Sequence, residues 1–404
     1  MAVRVLKPGV YAVGAIDWHR RLFDELIPLP HGTSYNSYLI KGSEKTVLID
    51  TVDPSKEYEL LANLQKLDVE KIDYVVSNHA EQDHSGTIPR ILELYPDAKV
   101  VTNAKCKEML RDLLLIAEER FVTIKDRETL SLGDRTLEFI LAPWVHWPET
   151  MFTYSREDKI LFTCDFLGSH FAESNLFVNN DARVYEGAKR YYAEIMMPFR
   201  TSIKKHLEMI KGLDVEMIAP SHGLVYSSPD IILNACRDWV SDEVKNEVVI
   251  PYVSMHGSTE KMVNHLVDAL IERGITVMPF NLTSADTGEL AMSLIDAATI
   301  VIASPTVLVG PHPRVIYAAS LVNALRPKLK FASIIGSYGW GGRMVEQITG
   351  MLSSLKLEML EPVVVKGHPN DDVFKAIDHL ADEILKRHKG IGLIKEEQLS
   401  MAAS

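Results

Sequence analysis

The sequence predicts a chain of two domains, the first of mixed α/β and α+β character and the second a doubly wound parallel α/β sheet. Three observations carry this. With 404 residues the chain is long enough for more than one core. Roughly its first 245 positions alternate short β-rich runs with polar, ligand-type residues, whereas from about residue 248 strand-like and helix-like segments alternate regularly. Its composition, 47% hydrophobic and 24% charged, is that of an ordinary globular protein.

In the first half the strand-length runs are TVLID (46–50), YVVS (74–77), KVVT (99–102), LEFILA (137–142), KILFT (159–163) and EMIAP (216–220). Helical spacing appears at KEYELLANLQKL (56–67) and KEMLRDLLLIAEER (107–120). In the second half, strands VVIPYV, ITVMPF, TIVIAS, FASIIG and MLEPVVV alternate with helices expected at 259–272, 288–297, 313–325, 343–355 and 371–388. That repeat specifies a parallel sheet with crossover helices. The charged segment CRDWVSDEVKN (236–246) reads as the linker, so the expected domains are 1–246 and 247–390, with a tail at 391–404 that carries no packing pattern.

Several function classes are disfavoured at once. The three cysteines, Cys106, Cys164 and Cys236, are far apart and form no CxxC, which argues against a disulfide framework, a rubredoxin-type iron centre and an iron–sulfur cluster. A net charge of −12 argues against nucleic acid as a partner. No apolar run approaches the ~20 residues needed to span a bilayer, and no leader pattern is read at the N-terminus, so no membrane is expected and the cytoplasm is the expected compartment.

The densest chemistry lies in YVVSNHAEQDHSGTIP, where a strand ends at Ser77 and the next turn presents His79, Glu81, Asp83 and His84. In an extended segment alternate positions share a face, so His79, Glu81 and Asp83 can converge, with His84 turning in after them. His146, Asp165 and His222 each stand just beyond another apolar run, where a rigid scaffold can aim a side chain. Any one of these would pass as a polar loop residue; the whole set points to metal. His19, His206, His265, His379 and His388 have no such context and are expected at the surface or the core edge.

A second constellation lies in the other half. Ser254, Met255, His256, Gly257, Ser258 and Thr259 follow its first strand and open a helix, a setting that binds phosphate through free N–H groups. The loop has neither GxGxxG nor a Walker lysine, so a monophosphate fits better than a dinucleotide or a triphosphate. An N-cap alone would account for Ser258 and Thr259. Ser304, Pro305 and Thr306, and then Ser337, Tyr338, Gly339, Trp340, Gly341 and Gly342, follow the third and fourth strands, at the carboxyl edge where doubly wound sheets bind ligands.

The first set resembles the HxHxDH motif of the metallo-β-lactamase superfamily, with Glu81 where the hydrolases carry a second histidine. HxExDH at 79–84 with HWPET at 146–150 is similar to the flavodiiron proteins. The three later loops resemble flavodoxin with FMN as ligand. Together the resemblance implies an αββα metallo-β-lactamase-like domain followed by a flavodoxin-like one. It assigns His79, Glu81 and His146 to one iron, Asp83, His84 and His222 to the other, and Asp165 as the bridge. It further implies two irons and one FMN per chain, and reduction of O2 to water, of NO to N2O, or both. Electrons would come from rubredoxin or a reduced deazaflavin coenzyme, in a head-to-tail homodimer or a dimer of dimers. His170 and one of Tyr191 and Tyr192 are candidate proton donors beside the irons. The rival readings are a binuclear zinc hydrolase fused to a flavodoxin-like module, against which Glu81 argues, and an electron-transfer flavodoxin carrying an inactive lactamase-like domain.

Overall fold

A computed structural model describes residues 3–179 and 182–394. The chain divides into two compact units, Met1–Val240 and Ser241–Ser404.

The first unit is built on two facing sheets. One has seven strands in the order Arg4–Lys7, Val10–Ala12, Tyr38–Lys41, Thr46–Ile49, Tyr74–Val76, Lys99–Asn103 and Phe121–Ile124. The other has five, in the order Thr129–Ser131, Thr136–Leu141, Met151–Ser155, Ile160–Cys164 and Met217–Pro220. Side chains alternate between two cores with the period of a pleated strand. Ile40, Val47, Val76 and Val101 turn inward to meet Phe139, Met151, Phe162 and Ala219 of the opposite sheet. Their neighbours Leu39, Leu48, Val75 and Val100 turn outward onto Leu60, Leu64, Ile88, Ile91 and Leu110 of the covering helices. On the far side, His206 of helix Arg200–Lys211 packs edge-on against Phe152, with ring centres 6.1 Å apart. The result is an αββα sandwich.

Every strand run expected in this half is present, but the structure adds short antiparallel strands and the helices Ala182–Tyr191, Arg200–Lys211 and Asp230–Val240. One correction concerns the linker. Residues 236–240 are the last turns of a helix, because Ile232, Cys236, Trp239 and Val240 recur at helical spacing and are all buried. Of the charges that suggested a linker, Arg237 and Asp238 lie on its other face and Asp242, Glu243 and Lys245 beyond its end.

The second unit is a parallel sheet in the order Thr276–Asn281, Lys245–Tyr252, Ala297–Val307 and Phe331–Tyr338, continued by Glu358–Met359 and Val363–Lys366. Numbered along the chain this is 2-1-3-4-5, the flavodoxin-type order, whose switch point lies between the first and third strands. The expected fifth strand is split, and the helix expected at 343–355 is the shorter Met344–Met351. His388 is a second correction: expected at the surface or core edge, it is wholly buried. Of the expected tail, Ile394 packs on the core of this unit, and residues 395–404 lie outside the described residues. Among the described residues no helix is long and apolar enough to cross a membrane.

Candidate functional site

The strands Tyr74–Val76, Thr136–Leu141, Ile160–Cys164 and Met217–Pro220 all end at one edge of the sandwich, and each delivers part of one cluster. The backbone after Val76 is steered by Asp50, which accepts from Asn78 N at 2.8 Å and Asn78 Nδ2 at 2.9 Å. It does not stay extended through Asp83, as the sequence suggested. Gln82–Ser85 forms a single helical turn, which separates His79 and Glu81 from Asp83 and His84. Cys164, at φ +51°, makes the sharp turn that precedes Asp165.

Two groups result. Glu81 Oε2 lies 3.1 Å from His79 Nε2 and 3.2 Å from His146 Nε2, and Asp165 Oδ2 lies 3.3 and 3.5 Å from the same two nitrogens. On the other side, Asp83 lies 3.4 Å from His84 Nε2 and 3.1 Å from His222 Nε2, and Asp165 Oδ1 lies 2.9 and 3.4 Å from them. Asp165 thus turns one oxygen to each group. Two donors held about 2.1 Å from one ion and roughly 90–110° apart would be separated by about 3.0–3.5 Å, so these spacings are those of atoms sharing an ion. Hydrogen bonding does not satisfy the cluster: both Asp83 oxygens, Asp165 Oδ2 and His222 Nε2 are buried with no hydrogen-bond partner among the described residues. Imidazole with carboxylate is a donor set suited to iron or zinc, and the three carboxylates shift it toward the harder ion.

The electrostatics agree. Burial, the largest influence, pushes each imidazole toward neutrality, yet the carboxylates outweigh it. His146 rises to about 9 through Asp165 and Glu81, His222 to about 10 through Asp165 and Asp83, and His79 and His84 also rise. Burial likewise pushes Glu81 and Asp165 up, and the imidazoles more than reverse it, holding both carboxyls below their usual range. Without an ion the imidazoles take protons in its place. Cys164 lies near His84 and Asp165, but burial, then Asp50 and Asp165, hold its thiol protonated.

The groups around this cluster can now be placed. Tyr191 donates to Asp165 Oδ1 at 3.0 Å, whereas Tyr192 points to the carbonyl of Trp239 at 3.3 Å. His170 pairs through Nδ1 with Thr33 Oγ1 at 2.9 Å and packs 4.6 Å from the His222 ring; burial holds it neutral. His222 Nδ1 meets the Ser34 carbonyl at 2.6 Å. The sequence reading missed Glu149, whose Oε1 lies 2.6 Å from His79 Nδ1. Its one signal was a carboxylate three places after His146 in an otherwise apolar loop. Phe23, on the hairpin Leu22–Phe23 and Ile27–Pro28, was also missed; its ring lies 4.8 Å from that of His170.

At the carboxyl edge of its sheet the second unit brings together the loop at 254–257 and the ends of two strands that run further than the sequence suggested: Ser304, Pro305 and Thr306 lie within Ala297–Val307, and Ser337 and Tyr338 within Phe331–Tyr338, with residues 339–342 beyond. Ser254 Oγ accepts from Gly257 N and Glu260 N, both at 3.2 Å, and so shapes the loop from within. Gly257, at φ +84°, opens the helix Ser258–Glu272 with nothing within 4 Å of where a Cβ would stand. Thr259 and Ser337 are buried and bond each other at 3.2 Å, Ser258 reaches His368 at 3.4 Å, and Ser304 accepts from His312 N at 3.0 Å. Those hydroxyls are occupied internally, leaving mainly backbone and the exposed Met255, His256, Gly339, Trp340 and Gly342 to face a ligand. Thr306, Tyr338, Gly341, Gly342 and Arg343 line a cleft of about 360 Å³.

Residues 33–223 match the model of the ODP family beta lactamases. The chain is 39% identical to a nitric oxide reductase of Moorella thermoacetica, over 87% of this chain and 90% of that one. It is 32% identical to the flavo-diiron protein FprA2 of Clostridium acetobutylicum, over 88% and 92% of the two. Its fold is similar to that of the rubredoxin oxygen:oxidoreductase from Desulfovibrio gigas, with a TM-score of 0.93, 30% identity, and coverage of 96% of this chain and 99% of that one.

Proposed function

The chain belongs to the flavodiiron family of oxidoreductases, and from that premise we propose that it reduces O2 to water, NO to N2O, or both, at two irons supplied with electrons through FMN. The observation that carries this is Asp165, whose two oxygens face two separate groups, each with two imidazoles and one further carboxylate. In this reading His79, Glu81 and His146 hold one iron, Asp83, His84 and His222 the other, and Asp165 both. Two ferrous ions and a fully reduced FMN would together supply four electrons, the number that takes O2 to two waters.

The remaining steps are the work of the chain. Burial of His79, His84, Asp165 and His222 excludes water from the ligand atoms. The Tyr191 hydroxyl, held protonated by burial and by the charges of Asp165 and Asp83, keeps its proton on the hydrogen bond to Asp165 Oδ1, with the two oxygens 3.0 Å apart. His170, held neutral by burial, has Nε2 unpartnered among the described residues and can relay a proton at that atom without holding it. In the second unit the backbone around Gly257 would take the phosphate, and the strand ends at 304–306 and 337–338 with the loop at 339–342 the ring.

The same reading makes the working unit a head-to-tail dimer in which the FMN of one copy serves the irons of the other. Apolar side chains exposed on the loops of both units support it: Leu22, Leu26 and Trp144 in the first, and Met255, Leu308, Val309 and Trp340 in the second. Leu308 and Val309 form a hairpin tip with φ of +50° and +68°, strained for such residues and retained at the edge where the ligand would sit. The donor is rubredoxin or a reduced deazaflavin coenzyme. Anaerobic turnover of each donor against each gas, with iron and FMN content measured on the same sample, tests the proposal. Stoichiometric zinc with no consumption of either gas would overturn it.

A further inference from the structure

We propose that Glu149 makes the two ion positions unequal: as a positioning residue for His79, it makes the position formed by His79, Glu81 and His146 the one that binds its ion more tightly. This rests on the di-iron reading above.

The ligand sets are otherwise matched. Each position has two imidazoles, one carboxylate of its own and one oxygen of Asp165. The positions differ in what stands behind the rings of His79, His222 and His84, and His146 is slightly open to solvent where Asp83, His84 and His222 are buried. Behind His79 Nδ1, at 2.6 Å, stands the carboxylate of Glu149, and both residues are buried. Behind His222 Nδ1, at the same 2.6 Å, stands a neutral carbonyl, that of Ser34. His84 Nδ1 is buried with no partner among the described residues. A carboxylate on the far nitrogen fixes the proton at Nδ1, aims the Nε2 lone pair at the ion and makes that nitrogen a stronger donor. In a buried site this charge is weakly screened.

Glu149 is held firmly in place. Its Oε1 also accepts from Ala80 N at 3.0 Å, its own carbonyl accepts from Asn103 Nδ2 at 2.7 Å, and Oε2 has no partner among the described residues. Its charge is therefore directed through Oε1 onto His79 and the adjoining backbone. The Trp147 ring stands perpendicular to His79 at 4.9 Å and stops the imidazole from turning. A second observation acts in the same direction from the other side. Tyr191 donates to Asp165 Oδ1, the oxygen facing His84 and His222, and draws charge from that position alone.

The test is equilibrium loading of chelator-stripped full-length protein with Co(II), whose absorption spectrum reports its ligands. Reference spectra come from His222→Ala, which cripples one position, and His146→Ala, which cripples the other. The first equivalent added to wild type should give the His222→Ala spectrum. Glu149→Gln keeps an acceptor for Nδ1–H but loses the charge; it should weaken the first equivalent on the order of 10–100-fold and give a mixed spectrum. Tyr191→Phe should tighten the second equivalent. A wild-type first equivalent that is mixed or matches His146→Ala would overturn the inference without the variants, and so would a Glu149→Gln titration that matches wild type. Two equivalents bound without preference sink only this inference; failure to bind a second equivalent sinks the di-iron reading with it.

Discussion

The cation cluster of the first unit and the core of the second both bury histidine, with opposite electrostatic results. In the first unit burial pushes His146 and His222 down, but carboxylates about 3 Å away carry them up to about 9 and about 10. In the second, burial acts on His388 unopposed and lowers it to about 4. Its neighbours are neutral, Thr299 Oγ1 and Asn246 Oδ1, each at 2.8 Å. Burial makes an imidazole neutral, and only a surplus of carboxylate reverses that. The first arrangement is a place for cations. The second is a polar pin that ties helix Asp371–Gly390 to two strands of the sheet.

The largest expected effect strikes the centre of the cation site. Asp165→Ala should remove nearly all bound iron, since each oxygen serves one position, whereas His222→Ala should remove mainly one ion. Elemental analysis of the two variants side by side decides this. Two irons retained in Asp165→Ala would show that the carboxylate surplus lies elsewhere.

Stripping the ions should expose the raised imidazoles directly. In the metal-free protein His146 and His222 have folded values of about 9 and about 10, above the ~6.5 of an unfolded chain. Their contribution to stability is fully present below about pH 6.5 and is lost as pH rises through 9 to 10. Glu81 and Asp165 are depressed, so theirs is lost only in strong acid. With ions bound the imidazoles carry no proton on Nε2, and the alkaline loss disappears. The Tm gap between loaded and stripped protein, read by calorimetry, should therefore widen from pH 7 to pH 9.5; a gap that narrows would break the comparison.

The contrast between the units also decides what could be read from sequence. The candidate metal ligands are side chains with distinctive chemistry, so His79, Glu81, Asp83, His84, His146, Asp165 and His222 stand out before any fold is known. Glu149 does not, because its role depends on Asn103 and Ala80 holding its loop against His79. Tyr191 and Tyr192 are adjacent, and only the helix phase separates the one on Asp165 from the one on Trp239. The doubly wound unit was legible as a rhythm of strands and helices, while antiparallel strands of the first unit such as Val10–Ala12, Ala15–Asp17 and Thr33–Tyr35 have only three residues and show none. At the candidate flavin site of the second unit the hydroxyls are occupied internally and what remains is largely backbone, which no residue type advertises. That Thr259 and Ser337 would bond each other was hidden for the same reason.

A backbone site should fail by crowding rather than by loss of a functional group. A Cβ on Gly342 would stand 2.5 Å from Thr306 Cγ2 and 3.1 Å from the Val309 carbonyl, whereas one on Gly339 meets nothing within 4 Å. Gly342→Ala should weaken FMN retention on the order of 10-fold, the effect of a strain of ~1–2 kcal/mol in the loop. Gly339→Ala should be close to wild type. Fluorescence titration of FMN into flavin-stripped protein separates the two, and equal losses would move the ring away from Gly342.

The pH dependence that His388 gives has the smallest span, and its sign is opposite to that of the cluster imidazoles His146 and His222. The folded value of about 4 lies below the unfolded ~6.5, so the neutral ring contributes stability that is fully present above pH 6.5 and is lost as pH falls toward 4. Its hydrogen bonds fit this form: Nδ1–H donates to Asn246 Oδ1, and Nε2 accepts from the Thr299 hydroxyl. A second proton would turn Nε2 into a donor and place a charge in the core with no carboxylate beside it. His388→Leu takes the partner from the Thr299 hydroxyl and from Asn246 Oδ1, while Asn246 Nδ2 keeps the Gly274 carbonyl, and should cost about 1–3 kcal/mol at pH 7.5. It should also flatten the decline in Tm between pH 6.5 and 4.5, because the group that titrates there is gone, while iron content stays as in wild type. A variant destabilised at pH 7.5 but declining as steeply as wild type in acid would mean that His388 only packs, and that the acid sensitivity of the chain comes from elsewhere.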